Sequence, residues 1–165
     1  MRFEYIKHSQ VNDELLSKII ALKNIHWHYT FEEHLNWMAR NLKSDDVHVL
    51  MYEDDILVAY MNLVEVNIII DHKKNTFLGI GNVCSRKKGF GHGGLLLQQV
   101  SDYIFSKNKI GILLCKDSLI DFYINKDWKL VDKNNVKADF NLLNTMILDF
   151  NNQLKDKSIF IKNEF

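Results

Sequence analysis

One run constrains this chain more than any other: Phe77-Leu-Gly-Ile-Gly-Asn-Val-Cys-Ser-Arg-Lys-Lys-Gly-Phe-Gly-His-Gly-Gly-Leu-Leu-Leu-Gln-Gln-Val100. It reads as strand, glycine turn, helix. Gly89, Gly91, Gly93 and Gly94 stand between a short apolar strand and a helix whose Leu96, Val100 and Tyr103 keep the i, i+4, i+7 spacing. Such a turn leaves the first N–H groups of the helix unpaired. With no Cβ atoms in the way, an anion reaches those donors and meets the positive end of the helix dipole. Ser85, Arg86, Lys87 and Lys88 add a polar, basic approach, so the run suits a phosphate or pyrophosphate. The plainer reading is a glycine turn that packs a helix tightly on a strand.

Two kinds of phosphate turn fit these residues. Gly89-Phe-Gly-His-Gly-Gly94 satisfies the dinucleotide pattern G-x-G-x-x-G, and Asp117 follows the next apolar strand as a ribose-binding acid would. A dinucleotide turn comes directly off its strand, however, whereas four polar residues intervene here and the preceding chain reads as antiparallel. No Walker pattern is present.

Read the other way, Lys88-Gly-Phe-Gly-His-Gly93 resembles the acetyl-CoA turn of the GNAT superfamily of N-acetyltransferases: Arg or Gln, two residues, Gly, one residue, then Gly or Ala. The strand ending Val83-Cys84-Ser85 and the leucine-rich Gly94-Leu-Leu-Leu97 flank it as in that family. Lys88 departs from the usual first residue, although Arg86-Lys-Lys-Gly89-Phe-Gly91 fits in a shifted register. A second likeness is Leu114 to Trp128, similar to the family's Phe-Tyr, three residues, Gly, then Trp or Phe, with Asp127 where Gly is usual. Leu-Cys ahead of Phe-Tyr resembles the aminoglycoside 2′-N-acetyltransferase branch.

The order of elements resembles the same fold across nearly the whole chain. Met1 to His8 reads as a strand; Asn12 or Asp13 caps a helix with Leu15, Ile19, Leu22 and His26 on one face. Thr30-Phe-Glu-Glu33 is a capping box for a second helix to about Lys43, with Phe31, Leu35, Met38 and Leu42 on its apolar face. Val47 to Tyr52 and Ile56 to Ile70 form a hairpin about Glu53-Asp-Asp55. Glu65 and Asn67 alternate with Val64, Val66 and Ile68. After the turn Asp71 to Asn75 comes the glycine-bearing strand from Phe77, then the long helix. Ile110 to Cys115, reached through that helix, is expected to run parallel to the glycine-bearing strand. Asp117 or Ser118 caps a short helix holding Leu119, Phe122 and Tyr123; Trp128 to Val131, Asn144 to Phe150 and Ser158 to Lys162 read as strands. The expected fold is therefore mixed α/β, a mostly antiparallel sheet with one splayed parallel pair and helices on both faces.

With 165 residues, 21 basic and 21 acidic, the chain is expected to form a single domain over residues 1–165 with no global field for nucleic acid or anionic membrane. The charged start and the lack of a long apolar run point to a cytoplasmic protein. Cys84 and Cys115 lack metal-ligand spacing and read as buried reduced thiols; no metal is expected. The oligomeric state is open between monomer and homodimer, with the segment Asn151 to Phe165 able to extend a sheet or pair with a second subunit.

The resemblance implies transfer of an acetyl group from acetyl-CoA to a primary amine, of a small molecule or of a protein. It implies that Val83 offers a backbone N–H to the thioester oxygen, that Cys84 and Ser85 flank the pantetheine arm, and that Lys88, Gly89, Phe90, Gly91, His92, Gly93 and Gly94 hold the phosphates. It also makes Tyr123 the proton donor to the leaving thiolate. A phenol near 10 is still protonated at neutral pH, and a thiol near 8.5 is a moderate base. Many relatives carry a carboxylate base where this chain has Gly79 and Gly81, which leaves Glu65, or bound water, as the base. An acetyl-cysteine at Cys84 is a rival chemistry without a histidine partner in the sequence. His26, Trp27, His28 and Tyr29 are candidates for walling an acceptor pocket, or for a ring cluster sealing the core. The competing function is a non-catalytic acyl-CoA-binding or sensory domain of the same fold.

Overall fold

The computed structural model describes residues 1–141, 143–155, 157–162 and 165. In chain order the elements are β1 (Arg2–Lys7), α1 (Asp13–Lys23), α2 (Phe31–Asn41), β2 (Val47–Glu53), β3 (Ile56–Ile70), β4 (Lys73–Ser85), α3 (His92–Ser106), β5 (Gly111–Cys115), α4 (Ile120–Ile124), β6 (Lys129–Leu130), β7 (Val136–Ala138), β8 (Asn144–Leu148) and β9 (Ile159–Ile161). They gather into two compact units, Met1–Val64 with Gly81–Leu97, and Glu65–Ile80 with Gln98–Phe165.

In the first unit β1 pairs antiparallel with β2, from Arg2 opposite Tyr52 to Lys7 opposite Val47. β2 pairs in the same sense with β3, and the hairpin closes on Glu53 opposite Ile56. The turn is Asp54-Asp55, with φ of 47° and 61°, a left-handed pair that short polar side chains tolerate and that matches the twist of the strands. Asn12 caps α1, accepting from Leu15 N–H at 2.9 Å. The capping box forms at α2, where Thr30 and Glu33 satisfy each other's backbone. Its buried face differs from expectation in one place: Met38 and Leu42 are buried, but Phe31 is 50% exposed and His34 is buried instead. Phe31 is the first residue of the helix, and the inward stripe begins one turn later.

In the second unit β4 and β5 pair in parallel through Leu78–Gly111, Gly79–Ile112 and Ile80–Leu113. β8 pairs antiparallel with β5 and with β6. The end of β3 pairs with β9, and β9 takes the unforeseen strand β7 in parallel. β4 begins at Lys73 rather than Phe77, because Asp71 and His72 adopt φ of 49° and 62° and reverse the chain in two residues. Neither Asp117 nor Ser118 caps α4. Asp117 instead accepts from the Asn144 side chain at 2.6 Å. The strand expected at Asn144 to Phe150 ends at Leu148. Within the segment from Asn151 on, Asp156, Asn163 and Glu164 lie outside the described residues.

The helix after the glycine turn buries Leu96, Leu97, Val100 and Ile104 completely. Each such side chain contributes roughly 1.5–3 kcal/mol, so packing rather than propensity holds the helix whose start bears the turn. Among the described residues no helix is long and apolar enough to cross a membrane.

Candidate functional site

The strand that leads to the turn is irregular where it matters. Asn82 adopts φ 54° in the middle of β4, and its Nδ2 donates to Asn62 Oδ1 at 2.6 Å. Asparagine is one of the few residues that takes the left-handed conformation at small cost, and such a residue re-aims a strand locally. Val83, next along, is half-buried, so its backbone lies beside the irregularity. Cys84 is buried, and burial pushes its thiol up to about 12, with Lys23 opposing. A thiol held that firmly protonated is a poor nucleophile, which weighs against an acetyl-cysteine.

Six residues, Arg86 to Gly91, connect β4 to α3. Arg86 is anchored to β3: its N–H donates to Val58 O at 2.8 Å and its Nε to Leu57 O at 3.2 Å. The cation that fits the shifted register is thus committed to the scaffold. Lys87 Nζ lies 5.1 Å from the Phe90 ring centroid, Phe90 is 64% exposed, and Lys88 faces solvent. Gly89 and Gly91 have φ of 82° and 77°, and a Cβ on either would meet nothing within 4 Å. Gly93 and Gly94 do not belong to the turn but to the first turn of α3. The helical ladder starts with Leu95 N–H to Gly91 O at 2.9 Å, which leaves the N–H groups of His92, Gly93 and Gly94 ahead of it as donors for an anion. His92 is 6% exposed; its Nε2 stands 3.7 Å from Glu53 Oε2, an ion pair whenever the ring is protonated, and its Nδ1 has no partner.

The linker after α1 is tied to the end of the motif strand. His26 Nε2 donates to Ser85 O at 2.7 Å, and the N–H groups of His26 and Trp27 both donate to Lys23 O at 3.0 Å. His26 and Trp27 are half-buried, while His28 and Tyr29 are exposed. Below, a hydrogen-bonded chain runs inward, His8 Nδ1 to His48 Nε2 at 2.9 Å and His48 Nδ1 to Tyr60 Oη at 2.8 Å. Burial first, then the charges of His8 and Lys23, lower His48 to about 4, so the His48 ring is neutral at pH 7.

The other candidates belong to the second unit. Tyr123 in α4 is buried; burial, with the Cys115 thiol adding to it, holds its phenol well above the ordinary value. Phe122 and Trp128 meet its ring edge-on, at 5.1 and 6.4 Å between centroids. Its carbonyl accepts from Lys126 N–H at 2.9 Å and Trp128 N–H at 3.2 Å, a tight turn completed by Asp127 at φ 65°. That left-handed angle is the physical reason glycine is usual there, and aspartate is a tolerated substitute. Trp128 is 1% exposed and donates through Nε1 to Ser101 Oγ at 3.3 Å. Glu65 is exposed, on the face opposite the buried Val64 and Val66.

Gly79 and Gly81, where the resemblance implies a carboxylate, both have their side-chain space taken by neighbours. A Cβ at Gly79 would stand 2.5 Å from Val66 Cγ2 and 2.6 Å from the Phe165 ring. One at Gly81 would stand 3.1 Å from Asn62 Nδ2. Asn62, Asn82 and Lys23 were not singled out by sequence reasoning. The available signal was an asparagine inside each of two apolar strands, where asparagine is depleted, and a lysine one helical turn after Ile19.

No protein-family model matches the sequence, and no curated protein matches it. Solved structures do. The GNAT family N-acetyltransferase YhbS of Escherichia coli, in complex with CoA, superposes with a TM-score of 0.72 over 99% of this chain and 91% of that one, at 9% identity. An acyl-CoA N-acyltransferase of Pseudomonas aeruginosa gives 0.66 over 90% of this chain and all of that one, at 16% identity. Escherichia coli ElaA gives 0.63 with the same coverage, at 17% identity. At identities this low the likeness is one of fold, and the fold of this chain is that of the GNAT N-acyltransferases.

Proposed function

We propose that this protein transfers an acetyl group from acetyl-CoA to a primary amine. The observation that carries the reading is the turn from β4 into α3, where two left-handed glycines with open Cβ space precede three N–H groups outside the helical ladder. A pyrophosphate suits that arrangement, and the fold and the CoA complex of a structural neighbour support a CoA thioester as its bearer. Lys88, with Phe90 and His92, completes the phosphate contacts, and Cys84 and Ser85 flank the arm.

The amine nitrogen attacks the thioester carbon, and the oxygen becomes an oxyanion facing the Val83 N–H. The attacking nitrogen gives up a proton, to Glu65 or to bound water. The C–S bond then breaks, and the thiolate takes the proton of Tyr123, giving the N-acetylated amine and free CoA. A phenol raised by burial is a reluctant acid, yet a thiolate formed out of water is raised by the same effect, as the buried Cys84 illustrates.

The test is thermal stability with and without acetyl-CoA, followed by an amine panel read through thiol release. A ligand at about 100 times its Kd stabilises by roughly 2.7 kcal/mol. Stabilisation without thiol release from any amine would favour the binding module, a reading supported by the filled positions at Gly79 and Gly81. Tyr123→Phe is expected to retain acetyl-CoA binding and lower kcat by about 100-fold; unchanged turnover removes the proton-donor assignment.

A further inference from the structure

The second unit holds a cleft that the acyl-transfer reading leaves without a role. It lies where β4 starts, at the opposite end of that strand from the glycine turn, and has a volume of about 220 Å³. Its apolar lining is Ile70, Phe77, Ile110 and Leu154, each buried to within 8% of its surface. Backbone bonds brace both sides. Leu78 N–H donates to Ile110 O at 2.9 Å, which joins the starts of β4 and β5. The loop that carries Gln153 and Leu154 is held by Leu154 N–H to Asp149 Oδ2 at 2.8 Å and by Lys157 N–H to Leu154 O at 3.1 Å. A cleft built in this way exists before a ligand arrives, so little ordering opposes binding.

The rim of the cleft is charged, and unevenly. Asp71, Lys73 and Lys157 line it and are exposed, while its other polar side chains, Asn75 and Gln153, are neutral. Among the described residues, Lys157 Nζ lies 3.8 Å from Asp71 Oδ2, and Lys73 pairs with no carboxylate. Two ammonium groups against one carboxylate leave a positive charge over, at the mouth of an apolar hollow. We propose that this cleft is a second ligand site, for a small monocarboxylate with a single ring or a short branched chain. The apolar body rests on Phe77 and Ile110, and the carboxylate meets Lys73. Size sets the class: a cavity of about 150 Å³ holds benzene, whereas pockets for drug-sized ligands run from about 300 to 1,000 Å³. The cleft therefore admits one ring with its carboxylate and excludes a nucleotide or CoA. A phosphate is best met by the clustered donors of a helix start or a guanidinium fork, and neither lines this cleft. Apolar burial supplies most of the affinity, and Lys73 the choice among ligands.

The experiment follows the backbone amides of the full chain by NMR while benzoate, isovalerate, benzamide or benzylamine is added. The two carboxylates are expected to shift the amides of Lys73, Phe77 and Leu154 with a Kd of about 1 mM. Benzamide and benzylamine should bind about fivefold more weakly or less. Lys73→Met is expected to weaken benzoate about fivefold and to leave benzamide unchanged. Asp71→Asn keeps the turn, because asparagine accepts the φ of 49° as aspartate does, and it releases Lys157. Benzoate should then bind about threefold more tightly, a gain that damage to the fold does not imitate. Gln153→Trp fills the cleft from its exposed rim and is expected to abolish the shifts. Acetyl-CoA, whose turn lies at the other end of β4, is expected not to displace benzoate. The proposal is overturned if neither carboxylate shifts these amides at about 20 mM, well above the expected Kd. It is also overturned if benzamide binds as tightly as benzoate, if the shifts survive Gln153→Trp, or if acetyl-CoA displaces benzoate.

Discussion

Two pairs of glycines, Gly79 with Gly81 in β4 and Gly89 with Gly91 beyond it, are glycine for opposite reasons. Around the first pair there is no room: Val66 and Phe165 occupy the side-chain space of Gly79, and the Asn62 amide presses on that of Gly81. Around the second pair there is nothing but room, and the constraint is the backbone, at φ of 82° and 77°. Written as letters the two look alike, Gly-Ile-Gly-Asn and Gly-Phe-Gly-His. The difference separates packing from binding. A crowded glycine admits a neighbour's side chain, whereas an open glycine with positive φ bares backbone donors to a ligand.

The sharpest way to break that contrast is to install a carboxylate at Gly79. Gly79→Glu must displace both Val66 and Phe165, since contacts of 2.5 and 2.6 Å are already unattainable for a methyl group. The expected loss is about 3 kcal/mol or more, against about 1–3 for Gly79→Ala, read from the denaturant midpoint. A Gly79→Glu protein as stable as the parent would mean that the crowding yields freely. The open pair responds differently. Gly91→Ala meets no atom but must hold an alanine at φ 77°, a loss of about 1–2 kcal/mol. Gly91→Asn should lose less, since asparagine tolerates that region. Both should weaken acetyl-CoA binding in a thermal-shift titration. Undiminished affinity in a destabilised Gly91→Ala would take the turn out of the binding site.

What could be read from the letters follows the same line. Local regularities were legible: the capping box of Thr30 and Glu33, the alternation that exposes Glu65 and buries Val66, and the glycine turn ahead of α3. Each depends on residues a few places apart. What escaped depends on residues distant in sequence. Arg86 is anchored by β3 carbonyls, Asn82 by Asn62, and Lys23 is buried against Trp37, none of which a local period reveals. The start of β4 was misplaced for a smaller reason, that Asp71 and His72 both accept left-handed angles and shorten the turn to two residues. Asp127 shows the converse, a departure from the family's glycine that becomes intelligible once its φ of 65° is known.

The smallest effect tests the contrast most finely, because at Gly81 two modest terms oppose each other. Replacing glycine by alanine in an ordinary backbone region restricts the unfolded chain and stabilises by about 0.4–1 kcal/mol. A Cβ 3.1 Å from Asn62 Nδ2 and 3.3 Å from its Oδ1 is tighter than a relaxed contact, and Asn62 cannot retreat without stretching its 2.6 Å bond from Asn82. In the parent the two terms should nearly cancel, so Gly81→Ala is expected within about 0.5 kcal/mol of neutral. Asn62→Ala alone strands the Asn82 amide and costs about 1 kcal/mol. In that background the methyl at position 81 enters vacated space, the crowding term disappears, and Gly81→Ala should become stabilising by roughly 0.5–1 kcal/mol, a coupling measurable by a double-mutant cycle in urea. Additive effects would show that the space at Gly81 does not belong to Asn62, and the crowded pair would reduce to Gly79 alone.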